Sequence, residues 1–175
     1  RFFGATVEAT DRDGMTAITV DGHAELEGRD VTVPADPSSA AFLVAAALVC
    51  EGSDVTVEGV LSNPTRTGFY ETVQDMGASL EFLNPREEGG EPVADIRVHH
   101  GPLKGVTVPA SRAPSMIDEY PVLAAVAAYA QGETRMEGLT ELRVKESDRL
   151  AATLAGLTAC GVKAEAGGDW LSVEG

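Results

Sequence analysis

Lys145, Glu146 and Arg149 stand within five consecutive positions of the run Arg143-Val144-Lys145-Glu146-Ser147-Asp148-Arg149. Two cations four residues apart, with a carboxylate between them, suit an anion that must also exchange a proton. Leu150, Leu154 and Leu157 follow at i, i+4 and i+7, the spacing of one helical face. The charged set therefore lies where a loop enters a helix. A helix N-terminus offers unpaired N–H groups and the positive end of a dipole, a ready anion site. Asp118, just before a second apolar run whose first turn can hold Pro121, is a further carboxylate candidate. Plainer readings exist for each. Asp118 and Glu119 suit capping of the helix that begins near Tyr120. Glu146 and Arg149 suit an ordinary i,i+3 ion pair on a solvated helix start.

The elements that must carry these residues repeat along the chain. Val31-Thr32-Val33-Pro34-Ala35 returns as Val106-Thr107-Val108-Pro109-Ala110. After each copy comes an apolar run expected as a buried helix (40–49 and 121–130), then a glycine turn at Gly52 or Gly132. A strand (55–59 and 134–138), a polar loop and an amphipathic helix follow. Phe69, Val73 and Met76 line the first such helix. Leu150, Leu154 and Leu157 line the second. Gly77 and Gly161 stop them as C-terminal caps. Strands 78–83 and 95–98 close the first unit, strands 162–166 and 170–173 the second. The pattern is β-α-β-α-β-β twice, with residues 1–27 reading as the end of a preceding unit. Units of this kind bury their faces against neighbours. The chain is thus expected to be a piece of a larger repeat-built protein, with units at 28–102 and 103–175.

With Gly161 laid on Gly77, Lys145 falls over Leu61, Glu146 over Ser62 and Arg149 over Thr65. The charged set belongs to the second unit alone. In the first unit, 63–68 reads as a turn with Thr65 capping. Asp36-Pro37-Ser38-Ser39 reads as a helix start, with contact of its hydroxyls to ligand as the alternative. Gly89-Gly90 reads as a hairpin loop, and Lys104 and Arg112 as solvated loop residues.

Composition sets limits. The 175 residues carry 13 Lys plus Arg against 28 Asp plus Glu, a net charge of −15. That opposes binding to nucleic acid or to an anionic membrane surface. It opposes a local anion site only weakly, because exposed charges more than about 8–10 Å apart are screened at physiological salt. The apolar runs are about half the roughly 20 residues a membrane span needs, and no secretory signal pattern opens the chain. Cys50 and Cys160 read as buried free thiols of a reducing, cytoplasmic compartment. His99 and His100, adjacent in a strand, face opposite sides, so no shared metal site is expected.

The stretches 36–48, 63–68, 112–120 (Arg-Ala-Pro-Ser-Met-Ile-Asp-Glu-Tyr) and 142–150 together resemble 5-enolpyruvylshikimate-3-phosphate synthases (3-phosphoshikimate 1-carboxyvinyltransferases). The likeness is strongest to the bacterial, often glyphosate-tolerant, subclass. It covers essentially the whole chain, and the Arg-Val-Lys-Glu-Ser-Asp-Arg element is highly specific. It implies an α/β fold of repeated β-α-β-α-β-β units, the inside-out α/β barrel of the enolpyruvyl transferases, here incomplete. Residues 1–27 would end the N-terminal lobe and the rest would form two units of the C-terminal lobe.

By the same resemblance, Asp118 contacts the ring hydroxyls of shikimate 3-phosphate and accepts a proton. Lys145 contacts shikimate 3-phosphate near the reacting oxygen. Glu146 moves a proton at the methylene carbon of phosphoenolpyruvate, and Arg149 clamps that substrate's carboxylate or phosphate. Many members carry an asparagine for phosphoshikimate two residues before Arg-Val-Lys; here that position is Glu141, and the contact is not carried over. The chemistry needs an acid/base that changes role, a base near a hydroxyl and fixed cations, and no metal or organic cofactor. Site elements of the other lobe and of the last unit are not in these residues, so the isolated chain is expected to be inactive. The rival readings are the enolpyruvyl transferase acting on UDP-N-acetylglucosamine and a non-catalytic repeat module. The first is not expected to carry Lys-Glu-Ser-Asp-Arg at this helix start. The second is expected to have lost Asp118 and Glu146, which are both present.

Overall fold

The computed structural model describes residues 1–175. It opens with a hairpin of β1 (Val7–Arg12) and β2 (Met15–Val20), in register from Val7 opposite Val20 to Arg12 opposite Met15. Asp13 and Gly14 turn it, both with positive φ, as a two-residue hairpin loop requires.

Two α/β layers follow. The first holds α1 (Pro37–Val49), β3 (Asp54–Leu61), α2 (Gly68–Asp75), β4 (Ser79–Glu88) and β5 (Glu91–His99). Its sheet runs β3-β5-β4. The second holds β6 (Thr107–Val108), α3 (Tyr120–Ala127), β7 (Glu133–Glu137), α4 (Arg149–Ala159), β8 (Lys163–Ala166) and β9 (Trp170–Glu174). Its sheet runs β6-β7-β9-β8, with β6 parallel to β7 and the other pairs antiparallel. The two layers have one topology. In the first, the place of β6 is held by Ala35 alone, bridged in parallel to Val60.

The strand expected around Val31–Val33 is therefore absent. Val33 is 81% exposed, so it has no face to pack on. Pro34 has no N–H to give to a ladder. Pairing begins only at Ala35, whose N–H donates to Gly59 O at 2.8 Å and whose carbonyl accepts from Leu61 N at 3.0 Å.

The other expected elements form, for local reasons. Asp36 caps α1 by accepting from Ser39 N, with Pro37 in the first turn. Gly77 and Gly161 end α2 and α4 at φ +95° and +82°, a left-handed conformation that costs glycine little. Gly89 and Gly90 turn the β4–β5 hairpin. One cluster of 31 buried residues runs through both layers. The helices α1 and α3 pack on each other, and both bury alanines (Ala40, Ala41, Ala45 and Ala47 on α1, Ala124 and Ala127 on α3). Small side chains let two helix backbones approach closely.

Three further expectations need correction. Cys50 and Cys160 are free and exposed rather than buried. Each is the C-cap of its helix, and the last turn of α4 before Cys160 is itself largely exposed. Phe42 and Leu43 of α1 are exposed, so that helix is not buried all round. Arg112 is not a solvated loop residue: its Nη1 donates to Asp75 Oδ2 at 2.6 Å and to Thr72 Oγ1 at 3.2 Å.

Candidate active site

Asp118 lies on a single 3-10 turn, Ile117–Glu119, that runs into α3. The segment before it is pressed against the start of α2. A Cβ on Gly68 would overlap Ser115 Oγ and come within 3.0 Å of Met116 Cγ. Only glycine lets the first unit's second helix close on the turn that carries Asp118. No side chain caps α3, so Asp118 and Glu119 do not cap it, as the plainer reading held. Pro121 in the first turn fixes φ and has no N–H to satisfy.

Lys145, Glu146 and Arg149 come from the other side. A 3-10 turn, Thr140–Arg143, leads to them, and α4 begins at Arg149. Leu142 and Leu150 are buried and anchor the loop at both ends. Arg143, which the spacing argument passed over, holds its middle. Its Nε donates to Gly168 O at 2.7 Å, its Nη2 to Gly167 O, and its Nη1 to Asp148 Oδ2 at 2.9 Å. The guanidinium thus ties the loop to the β8–β9 turn and to the cap of α4.

The four expected residues meet. Arg149 Nη1 donates to Asp118 Oδ1 at 2.8 Å and Arg149 Nη2 to Glu146 Oε2 at 2.6 Å. Lys145 Nζ lies 3.6 Å from Asp118 Oδ1 and 2.9 Å from Glu141 Oε1. A chain of alternating charge results: Glu141, Lys145, Asp118, Arg149, Glu146. Asp118 is its centre and touches both cations. Glu141 was the miss, although its i,i+4 spacing from Lys145 was a legible signal.

The electrostatics follow from this pairing. The hydrogen bond to Glu141, and then the charge of Asp118, raise Lys145 above its ordinary value. Glu146 is held below the usual glutamate value, first by its own backbone N–H and then by Arg149. Arg149 is raised, most by Glu146. In this state Glu146 is an ionised carboxylate, 78% exposed, while Lys145 is only 23% exposed.

The helix start is not the open anion site that its position suggested. Asp148 Oδ1 accepts from Ala151 N at 2.9 Å, so a carboxylate of the chain already occupies the cap. The cations are available to an incoming anion only by exchange with Glu141, Asp118 and Glu146.

The first unit's minor candidates gather separately. Arg66 Nη2 donates to Ser38 Oγ at 2.9 Å and lies 3.3 Å from Asp36 Oδ1. Asn63, not Thr65, caps the turn there: its Oδ1 accepts from Thr65 N at 3.0 Å. His99 and His100 go to different partners, Asp54 and Leu48 O.

Known proteins match the chain over its whole length. The family model for EPSP synthase (3-phosphoshikimate 1-carboxyvinyltransferase) matches residues 1–175. The chain belongs to the EPSP synthase family. It is 61% identical over 176 residues to the 3-phosphoshikimate 1-carboxyvinyltransferase of Paramagnetospirillum magneticum, covering 100% of this chain and 40% of that protein. Identity to the protein of the same name from Chelativorans sp. is 57%, over 99% of this chain and 39% of that one. Among solved structures, EPSP synthase from Acinetobacter baumannii superposes with a TM-score of 0.91 at 42% identity, over 99% of this chain and 38% of that one. The enolpyruvyl transferase NikO from Streptomyces tendae shares the fold, with a TM-score of 0.66 at 20% identity over 99% of this chain and 38% of that one. The repeated α/β units are thus those of the enolpyruvyl transferases. The chain spans about 40% of the length of the curated EPSP synthases it matches.

Proposed function

We propose that this chain supplies one wall of the active site of a 3-phosphoshikimate 1-carboxyvinyltransferase, which moves the enolpyruvyl group of phosphoenolpyruvate to the 5-hydroxyl of shikimate 3-phosphate. Residues 1–27 close the N-terminal lobe, and 28–102 and 103–175 are two units of the C-terminal lobe. The remaining lobe and unit supply the other walls, in the cytoplasm. The observation that carries the reading is the convergence of Asp118, Lys145, Glu146 and Arg149 into one charge-alternating network. Membership of the family supports it.

The network suits two anionic substrates because it holds its cations ready but covered. Phosphoenolpyruvate brings its own carboxylate and phosphate to Arg149. That draws Arg149 from Glu146 and removes one of the two groups, beside its own backbone N–H, that favour the ionised form. A Glu146 freed from Arg149 and placed beside new negative charge takes up a proton. It gives that proton to the methylene carbon. The 5-hydroxyl oxygen adds to the electron-poor carbon that results, and Asp118 takes the hydroxyl proton. Lys145 stands beside Asp118 to stabilise the oxygen as its charge changes. Loss of phosphate, which carries off the proton held by Asp118, and return of one methyl proton to Glu146 complete the exchange. Each step uses a group within this network as donor, acceptor or fixed charge.

Titration of the isolated chain with shikimate 3-phosphate, followed by amide chemical shifts, tests the wall. Shifts at 118 and 145–149 that vanish in Lys145→Ala uphold it. Binding indifferent to that change removes Lys145 from the site. Phosphate release with both substrates should be undetectable for the isolated chain, and robust turnover would overturn the reading of it as one wall.

A further inference from the structure

Glu119 is the one charged residue among the buried polar side chains, 3% exposed. A buried carboxylate is costly unless something compensates it. The compensation comes from the first unit: Ser38 Oγ donates to Glu119 Oε1 at 2.5 Å. Ser38 in turn accepts from Arg66 Nη2 at 2.9 Å, and Arg66 lies beside Asp36, the cap of α1. No other side chain bonds to the Glu119 carboxylate. Burial raises its pKa, the Ser38 hydroxyl opposes that rise, and the charges facing it are Arg66 and Asp118.

Glu119 and Asp118 are consecutive on one 3-10 turn. On such a turn successive side chains project about 120° apart. Glu119 points back to α1, while Asp118 points to Arg149 and Lys145. The turn is anchored at its flanks by Met116 and Tyr120, both fully buried. It lacks a side-chain cap, and within it the backbone closes through Glu119 N to Met116 O at 3.0 Å. We infer that Glu119 is a positioning residue: tethered through Ser38 to Arg66 of the first unit, it sets the turn from which Asp118 meets Arg149 and Lys145. The inference rests on the proposed role of Asp118 in the reaction. It assigns the first unit a task in the site of the second.

Steady-state kinetics on the intact enzyme that contains this segment test it, with Asp118→Asn as the control. Misplacing a reacting group by about 1 Å costs up to about 100-fold in rate. Glu119→Ala should therefore lower kcat about 10- to 100-fold, with KM for both substrates changed less than about threefold. Glu119→Gln keeps an acceptor for the Ser38 hydroxyl and should restore kcat to within about fivefold of the parent. Ser38→Ala should lower kcat, and Glu119→Ala with Ser38→Ala should be no worse than Glu119→Ala alone, because the two act as one unit. A Glu119→Ala enzyme that melts earlier but keeps the parent kcat per folded molecule overturns the inference. If Glu119→Ala does not fold, Ser38→Ala decides: a kcat loss at unchanged melting temperature supports it, and an unchanged kcat overturns it. Full activity in Asp118→Asn would instead strike the proposed function itself.

Discussion

The two repeat units begin their helices alike and use the acids there differently. In the first, Asp36 caps α1 through Ser39 N, and Arg66 is spent on Asp36 and Ser38. In the second, α3 begins without a side-chain cap, which leaves Asp118 free to face two cations and Glu119 free to reach back. The same split recurs at the second helices. The loop into α2 is closed on itself by Asn63, whereas Asp148 and Arg143 brace the loop into α4 and leave Lys145, Glu146 and Arg149 in the network. The charge network forms in the unit whose acids at the first helix start are not used as a cap.

The strongest way to break this comparison is catalytic. In the intact enzyme, Glu146→Gln should lower kcat by about 10²- to 10⁴-fold, the range for losing a general acid/base. Ser62→Ala, at the matching place in the first unit, should leave kcat within about twofold. Equal losses would erase the distinction between the units.

Packing gives the next contrast. Met76, the C-cap of α2, is fully buried, whereas Leu157 on α4 is only partly buried. Met76→Ala should cost about 2–5 kcal/mol in urea unfolding and Leu157→Ala about 1 kcal/mol. A reversed order would mean that the α4 stripe, not the α2 stripe, anchors the core.

Caps follow. Asp36→Ala and Asp148→Ala should each cost about 1 kcal/mol, the usual worth of a helix N-cap. Asp118→Ala, which removes no cap, should cost less than about 0.5 kcal/mol. A loss of about 1 kcal/mol from Asp118→Ala would show that it caps α3 after all.

The smallest effect lies in acid. Asn84, then Gly59 N–H, then Arg86 lower the Asp95 pKa to about 2. A depressed carboxylate stabilises the fold fully above its unfolded value and loses that contribution as pH falls through the folded value. The first unit's sheet should therefore begin to lose this contribution as pH falls below about 4 and have lost most of it near pH 2, and Asp95→Asn should remove that slope. Side-chain carbon shifts should show Asp95 titrating below Glu146; a midpoint near 4 for Asp95 would refute the bonding described for it.

Local signals carried well where the cause was local. Glycine stops at Gly77 and Gly161, the apolar stripe Phe69-Val73-Met76, and the repeated order of elements needed only period and turn chemistry. Signals failed where a partner distant in sequence decided. Val31 and Val33 have strand composition, but no neighbouring strand reaches them. Arg112 looked solvated until Asp75 was found beside it. Cys50 and Cys160 looked buried because the runs before them are apolar, yet helix phase turned the caps outward.

The sequence by itself determined the repeat, the family and the four candidate residues that meet in one charge network, because spacing and motif are properties of the chain. Only the tertiary structure decided that Asp118 sits between Lys145 and Arg149, and that Ser38 of one unit holds Glu119 of the other. Those contacts join residues up to 81 positions apart. Burial and charge pairing across such distances depend on how the helices pack, which no local spacing encodes.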